Sequence, residues 1–260
     1  SQTDRWTGMD TIGIPAGRFQ KLRNLSALRL AMSRALPVYE YFHAWQGEGS
    51  HMGKSAFFIR LHGCPVHCPW CDSAGTWHPD YLPDKIDRIG PIDLAEEANQ
   101  SGCEIVVITG GEPAIHPLFD LVHELRIRSL PVHLETCGAF SVQGEMDWIT
   151  LSPKWNQLPI EETFLLADEF KIIVEKPEDL AKWTDALPMK ERKVPVWLHP
   201  EWSQAENPEV LGAINDWVKH EGFPYRAGFQ LHKLYMVDEA DKRSRPTASL
   251  SHLEKSNKLK

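Results

Sequence analysis

Three cysteines, Cys64, Cys68 and Cys71, stand at x3 and x2 spacing in HGCPVHCPWC. Thiolates so placed serve three of the four irons of a 4Fe–4S cube and leave the fourth iron without a protein ligand. Ferredoxins close that position with a fourth Cys, so an open iron points to a cluster that binds a small molecule and acts on it. Zinc is the competing reading: a structural zinc site takes four ligands, and His62, His67 and His78 are near enough in sequence to supply one. Further along, EIVVITGGEP (residues 104–113) reads as a buried strand that runs into a Gly-Gly turn followed by Glu112 and Pro113. Glycines at the end of a strand let backbone come close to a ligand.

The elements that must hold these residues alternate. Strands are expected at 37–43, 55–61, 104–109, 131–135, 147–151, 170–174, 195–198 and 225–230, several of them continuous apolar runs such as EIVVIT and FKIIV that suit a buried parallel sheet. Between them PIDLAEEANQ, PLFDLVHELRIRS, PEDLAKWTDAL and PEVLGAINDWVKHEG each place Pro near a first helical turn and follow a 3.6 period. Strand and helix in alternation imply an α/β fold with parallel strands and right-handed crossovers. On that plan the chemistry-bearing segments share one end. The cysteine run follows strand 55–61, GGEP follows 104–109, ETCG closes 131–135, SPK follows 147–151 and QLHK follows 225–229. The C-terminal ends of barrel strands form the active face.

Composition agrees. The chain has 260 residues, a net charge of −8 and a pI near 5.8, with no basic stripe of the kind that marks a nucleic-acid or membrane binder. It contains no run of 18 consecutive apolar residues, no signal peptide is expected, and its five cysteines are odd in number, three of them in one motif. A cytoplasmic enzyme of a small molecule is expected. Residues 1–36 read as an N-terminal extension whose Leu22, Leu25, Leu28, Met32 and Leu36 make a helical stripe; 37–246 form the core domain, and 247–260 a polar tail.

Cys-x3-Cys-x2-Cys with Trp70 before the third Cys, then Gly-Gly-Glu-Pro about 40 residues later, resembles the radical S-adenosylmethionine (SAM) superfamily. The segments LPVYEYFHAWQGEGSHMGKSAFFIRLHGC, CDSAGTW, TGGEP, ETCG, SPK, FKIIVE and QLHK, in that order over roughly residues 37–235, resemble the 7-carboxy-7-deazaguanine synthase family more closely. The resemblance implies an incomplete, open (β/α) barrel with modified helix content. It also implies three cofactors: a 4Fe–4S cluster on Cys64, Cys68 and Cys71, SAM, and Mg²⁺ on Ser73, with Asp72 an outer partner or a loop cap. For SAM it implies contacts from Trp70, Gly111, Glu112, Ser152, Pro153 and Lys154. For the substrate it implies Trp45, Gln46, Gly47, Glu48, Arg60 and Thr109, with His232 either a ligand or a structural histidine. Trp45 departs from the aliphatic residue usual in the family, Cys137 stands where Asn is usual, and Pro246, a family C-terminal residue, has 14 residues after it. Cys103 reads as a small hydrophobe in a buried strand.

The implied reaction starts with one electron from a flavodoxin or ferredoxin and cleavage of SAM. Hydrogen is then taken from C6 of 6-carboxy-5,6,7,8-tetrahydropterin, and ring contraction with loss of ammonia gives 7-carboxy-7-deazaguanine. A homodimer is expected. Two other functions compete: a radical SAM activase that forms a glycyl radical on a partner protein, and a zinc-stabilised binding module.

Overall fold

The computed structural model describes residues 34–237 and 240–245, all but the first within the compact unit Ala35–Lys260. The helical stripe from Leu22 to Met32 and the polar tail lie outside the described residues. Leu36, expected to end that stripe, instead opens the first strand and is buried.

The strands are β1 (Leu36–Trp45), β2 (Ser55–Leu61), β3 (Asp87–Ile89), β4 (Ile105–Gly110), β5 (Val132–Thr136), β6 (Trp148–Leu151), β7 (Glu169–Val174), β8 (Val196–Pro200) and β9 (Tyr225–Ala227). The helices are α1 (Pro91–Ser101), α2 (Phe119–Arg126), α3 (Glu161–Leu166), α4 (Glu178–Ala186), α5 (Met189–Arg192), α6 (Pro208–Glu221) and α7 (Leu231–Tyr235). One sheet runs in the order β3-β1-β2-β4-β5-β6-β7-β8-β9. Its edges β3 and β9 are not joined, so the α/β sheet is open, as expected.

From β2 to β9 the neighbours are parallel, but β1 is antiparallel to β2 and β3 antiparallel to β1. This corrects the expectation of uniformly parallel strands. Residues 46–54 are too few for the crossover that parallel neighbours need, so β1 can return only as a hairpin partner. A second correction concerns the run 225–230. Strand structure stops at Ala227, before Gly228, and QLHK leads into α7 instead of following a longer strand. Glycine weakens a strand interior.

Local chemistry sets the helix ends. Pro91 and Asp93 lie in the first turn of α1, and Gly102, in the left-handed conformation, stops it. Asn207 caps α6 by accepting from the Glu209 N–H at 3.0 Å. The buried faces of α1 and α2 (Leu94, Ala98, Leu121, Leu125) cover Phe57, Ile59, Leu61, Val106, Ile108 and Leu134. A second cluster packs Leu180, Trp183, Val210 and Ile214 on Phe170, Ile172, Val174, Val196 and Leu198. Each such side chain contributes about 1.5–3 kcal/mol of burial free energy.

Because strand side chains alternate, covering one face with helices directs Arg60, Thr109, Glu135 and Lys171 to the other. In β1 the alternation is broken on purpose. Its register shifts between Val38 and Glu40, so Leu36 and Val38 join the helix-side core while Glu40, Phe42 and Ala44 line a cavity. One extra residue in a strand exchanges its faces.

Candidate active site

All five loops expected at the C-terminal ends of the strands line one cavity of about 470 Å³, in the usual range for small-molecule sites. The loop after β2 carries Cys64, Cys68 and Cys71, which pack with Val66, Trp70, Cys137 and Phe140. Burial pushes the Cys68 thiol up to about 11 and raises Cys64 and Cys71 as well. Trp77 Nε1 donates to Cys71 Sγ at 3.3 Å. Cys64, Cys68 and Cys71 all line the cavity from this one loop. Three thiols with no fourth cysteine on the loop suit a four-iron cube that keeps one iron open. Cys103 lies in the core under α1, its Sγ 3.7 Å from the Ala98 carbonyl oxygen.

The loop after β4 lies directly on the cysteine loop. Gly111 N–H donates to the Leu61 carbonyl at 3.0 Å, and Glu112 N–H to the Gly63 carbonyl at 2.8 Å. A Cβ at Gly111 would stand 2.2 Å from the Gly63 oxygen and 2.8 Å from Cys64 Cβ, so only glycine permits this approach. The Glu112 carboxylate is turned inward. It accepts from Thr136 Oγ1 at 2.6 Å, the Ala114 N–H at 3.0 Å and the Cys137 N–H at 2.7 Å. Glu112 thereby ties this loop to the end of β5, and what the Gly-Gly turn offers a ligand is chiefly backbone.

Of the other residues expected around SAM, Trp70, Ser152 and Lys154 line the cavity, whereas Pro153 is buried and does not. Lys154 Nζ donates to the Ser152 carbonyl at 2.7 Å and to Ser152 Oγ at 2.6 Å, and it stands 5.5 Å from the centre of the Trp70 ring. Burial lowers its pKa. Trp70 Nε1 donates to Glu175 Oε1 at 2.8 Å, which fixes the ring at the rim.

The opposite wall is polar. Glu135 Oε1 accepts from Gln46 Nε2 and Oε2 from Thr109 Oγ1, each at 3.0 Å. Gln46 Oε1 in turn accepts the Glu48 N–H at 3.1 Å. Glu48 Oε2 pairs with Lys171, and Glu48 Oε1 is buried without a hydrogen-bond partner among the described residues. Burial alone would raise the Glu48 pKa, but Lys171, His199 and His232 hold it well below the usual carboxylate range. For Lys171 the penalty of burial is outweighed by Glu48, and its pKa rises. Arg60 Nε donates to Glu40 Oε1 at 2.6 Å. Burial opposes the Arg60 charge, yet Glu40 and Asp72 raise its pKa.

The turn after Gln46 is shaped from outside. Gly49 has φ +68°, and a Cβ there would lie 2.4 Å from Glu169 Oε1. Glu169 accepts from Ser50 N–H at 2.9 Å, Thr150 Oγ1 at 2.7 Å and Trp197 Nε1 at 3.0 Å, anchoring the turn that presents Glu48. The Leu231 N–H donates to the Gly47 carbonyl at 3.2 Å, which brings α7 and its His232 to the cavity. Trp45 meets Tyr235 of α7 edge-on, with ring centres 5.5 Å apart.

Between the two walls lie Asp72 and Ser73. Asp72 Oδ2 accepts from Gln230 Nε2 at 3.1 Å and pairs with Lys233 at 3.5 Å. Burial would raise its pKa, but Lys233 and Arg60 bring it down to about 2. Ser73 Oγ donates to the Gly110 carbonyl at 3.3 Å and lies 3.7 Å from Cys71 Sγ, which leaves a hydroxyl lone pair for a cation.

Glu40, Glu135 and Lys171 carry much of this geometry and were given no role from sequence. The available signal was a lone charge inside an apolar strand: VYEYF, HLET, FKIIV.

The family model of the radical SAM superfamily matches residues 58–147. A 7-carboxy-7-deazaguanine synthase of Synechocystis sp. is 41% identical over 202 residues, 76% of this chain and 91% of that protein. A protein of the same name from Prochlorococcus marinus is 36% identical over 230 residues, 78% of this chain and 98% of its own length. The crystal structure of QueE from Escherichia coli superposes with a TM-score of 0.64 at 30% identity, covering 76% of this chain and 94% of that one.

Proposed function

The chain belongs to the 7-carboxy-7-deazaguanine synthase family of radical SAM enzymes, and from that premise we propose that it converts 6-carboxy-5,6,7,8-tetrahydropterin to 7-carboxy-7-deazaguanine, by hydrogen abstraction at C6, ring contraction and ammonia loss, in deazapurine and queuosine biosynthesis. Membership of this family displaces the activase and the zinc module. The observation that carries the proposal is a single cavity with three thiols on one wall and, on the other, Gln46, Glu48, Arg60 and Thr109.

A 4Fe–4S cluster and SAM are the cofactors of the radical SAM family; held by Cys64, Cys68 and Cys71 and by the Gly111, Ser152 and Lys154 segments, they supply the one-electron chemistry. The protein binds and orients. Glu48, which lines the cavity, offers a carboxylate to the ring N–H groups of the pterin, with Gln46 and Thr109 both anchored on Glu135. Arg60 supplies a cation for the substrate carboxylate through charge-assisted bonds. Ser73, with Asp72 beside it, fits Mg²⁺, which takes a few protein oxygens and completes its shell with water and substrate; there it would fix the carboxylate electrostatically.

The same reading includes a flavodoxin or ferredoxin as electron donor, a homodimer, a cytoplasmic location, and the division into an extension (1–36), a core (37–246) and a tail (247–260). All five cysteines are free thiols, in keeping with a reducing compartment, and no helix among the described residues is long and apolar enough to cross a membrane. The deciding experiment is anaerobic turnover of the reconstituted protein with SAM and 6-carboxytetrahydropterin, read by mass spectrometry. Formation of 7-carboxy-7-deazaguanine is expected; methionine and 5′-deoxyadenosine without it would overturn the substrate assignment.

A further inference from the structure

Glu40 is a buried carboxylate in the middle of β1, and its two oxygens serve different parts of the chain. Oε1 accepts from Arg60 Nε at 2.6 Å. Oε2 accepts the backbone N–H of Arg245 and Ser244 Oγ, the latter at 3.3 Å. The bulge in β1 sets Glu40 directly across from Arg60 in the ladder. Residues 240–245 are tied to the same strand elsewhere: His43 N–H donates to Asp241 Oδ2 at 3.1 Å, and the Arg243 guanidinium lies over the Tyr41 ring while it pairs with Glu97. Arg245 and Arg60 both line the cavity.

We propose that Glu40 is a positioning residue that makes the aim of Arg60 at the substrate and the seating of residues 244–245 one coupled event. The proposal rests on the reading of Arg60 as the partner of the substrate carboxylate. A guanidinium is planar, so fixing its Nε fixes the plane in which the terminal nitrogens present their N–H groups. A carboxylate accepts on both oxygens and donates from neither. Only such a group can meet Arg60 on one side and the 244–245 donors on the other. Glutamine at this position would turn an amide donor toward one of those two sets of donors, so it can hold Arg60 or the C-terminal segment but not both.

The test uses the cluster- and SAM-loaded protein under anaerobic conditions, with calorimetric titration of 6-carboxytetrahydropterin and hydrogen exchange of residues 240–245, for the wild type, Glu40→Gln, Arg60→Ala and the double variant. Arg60→Ala should weaken binding by roughly 30-fold or more, as expected for loss of one partner of a buried charge pair. Glu40→Gln should weaken binding about tenfold, a smaller loss than truncating a charge partner outright, and should speed exchange in 240–245. Because Glu40 acts through Arg60, the double variant should bind within about threefold of Arg60→Ala alone. Two independent losses that multiply would overturn the proposal, as would Glu40→Gln binding like the wild type while Arg60→Ala is impaired; in both cases the Arg60 assignment stands. If Arg60→Ala binds like the wild type, the substrate-clamp reading falls instead. Should Glu40→Gln fail to load a cluster, Ser244→Ala decides by the same readouts: faster exchange with weaker binding only when Arg60 is present supports coupling, and no change in either overturns it.

Discussion

Replacing Lys171 with Met removes the cation that keeps Glu48 charged inside the protein, and the structure sets the size of the effect. The two side chains are 15% and 8% exposed, so solvent screens the pair little, and breaking a buried pair from one side costs about 3–5 kcal/mol. For a domain of this size 1 kcal/mol moves the melting temperature by roughly 2–4 °C, so a drop of about 6–20 °C is expected in anaerobic scans at fixed rate. The pH dependence carries a sign. In the wild type the Glu48 pKa is depressed below 4.5, so its contribution is present above 4.5 and is lost as pH falls through the folded value. The Lys171 pKa is raised above 10.5, so its contribution is present below 10.5 and is lost as pH rises through the folded value. Between those limits the pair is insensitive to pH. With Met at 171 the burial of Glu48 is opposed only by His199 and His232, so its pKa rises from the wild-type value and the variant loses stability relative to wild type as pH rises through that interval. The deficit should therefore grow as pH rises through the carboxylate range and level off above the new folded value. Glu48→Gln in the Lys171→Met background should restore part of the loss, because it removes the stranded charge. A Lys171→Met melting temperature within about 2 °C of wild type, or single losses that simply add in the double variant, would refute a buried, mutually dependent pair.

Cys68→Ala should abolish the brown chromophore and SAM cleavage, because a three-thiolate site has no spare ligand, whereas Cys103→Ala should keep both; iron and sulfide analysis of anaerobically purified protein checks this. Ser73→Ala should blunt the response of the initial rate to Mg²⁺ more than it weakens SAM binding, and superimposable Mg²⁺ titrations would remove Ser73 from the metal site. Gly49→Ala puts a side chain at φ +68° against Glu169 Oε1; a loss of about 1–3 kcal/mol is expected from backbone strain alone, read as a lower denaturant midpoint together with weaker substrate binding.

The parts of this fold legible in the sequence are those set by local pattern. EIVVIT and FKIIV are strands within a residue of their expected ends, and α1 and α6 begin at the prolines that marked them. Strand direction was not legible for β1, because apolar periodicity is the same in parallel and antiparallel strands and only the shortness of residues 46–54 fixes the hairpin. The edge strand β3 is three residues of Asp, Arg and Ile, too short and too polar for any period to register, and α3 and α5, of six and four residues, are too short to show one either. The cysteine loop and the Gly-Gly turn could be placed on one face because both follow strands that could be read.

The polar wall of the cavity was the least legible part, and its arrangement bears on how a ligand is held. Four charges rise from four strands, Glu40 from β1, Arg60 from β2, Glu135 from β5 and Lys171 from β7, each inside an otherwise apolar run whose pattern reveals burial but not which face looks inward. Once folded they satisfy one another or nearby groups: Arg60 on Glu40, Lys171 on Glu48, Glu135 on Gln46 and Thr109. A ligand entering such a site does not have to order these side chains, so the entropy of immobilising them is met in folding instead of in binding. The dipoles and charges are already aimed when it arrives. The exception is Glu48 Oε1, a buried acceptor on an ionised group with no partner among the described residues. Leaving such an atom unsatisfied costs about 1–3 kcal/mol or more, a cost that the Lys171 pair on the other oxygen and the contacts anchoring the Glu48 turn must offset for the carboxylate to stay charged in the cavity wall.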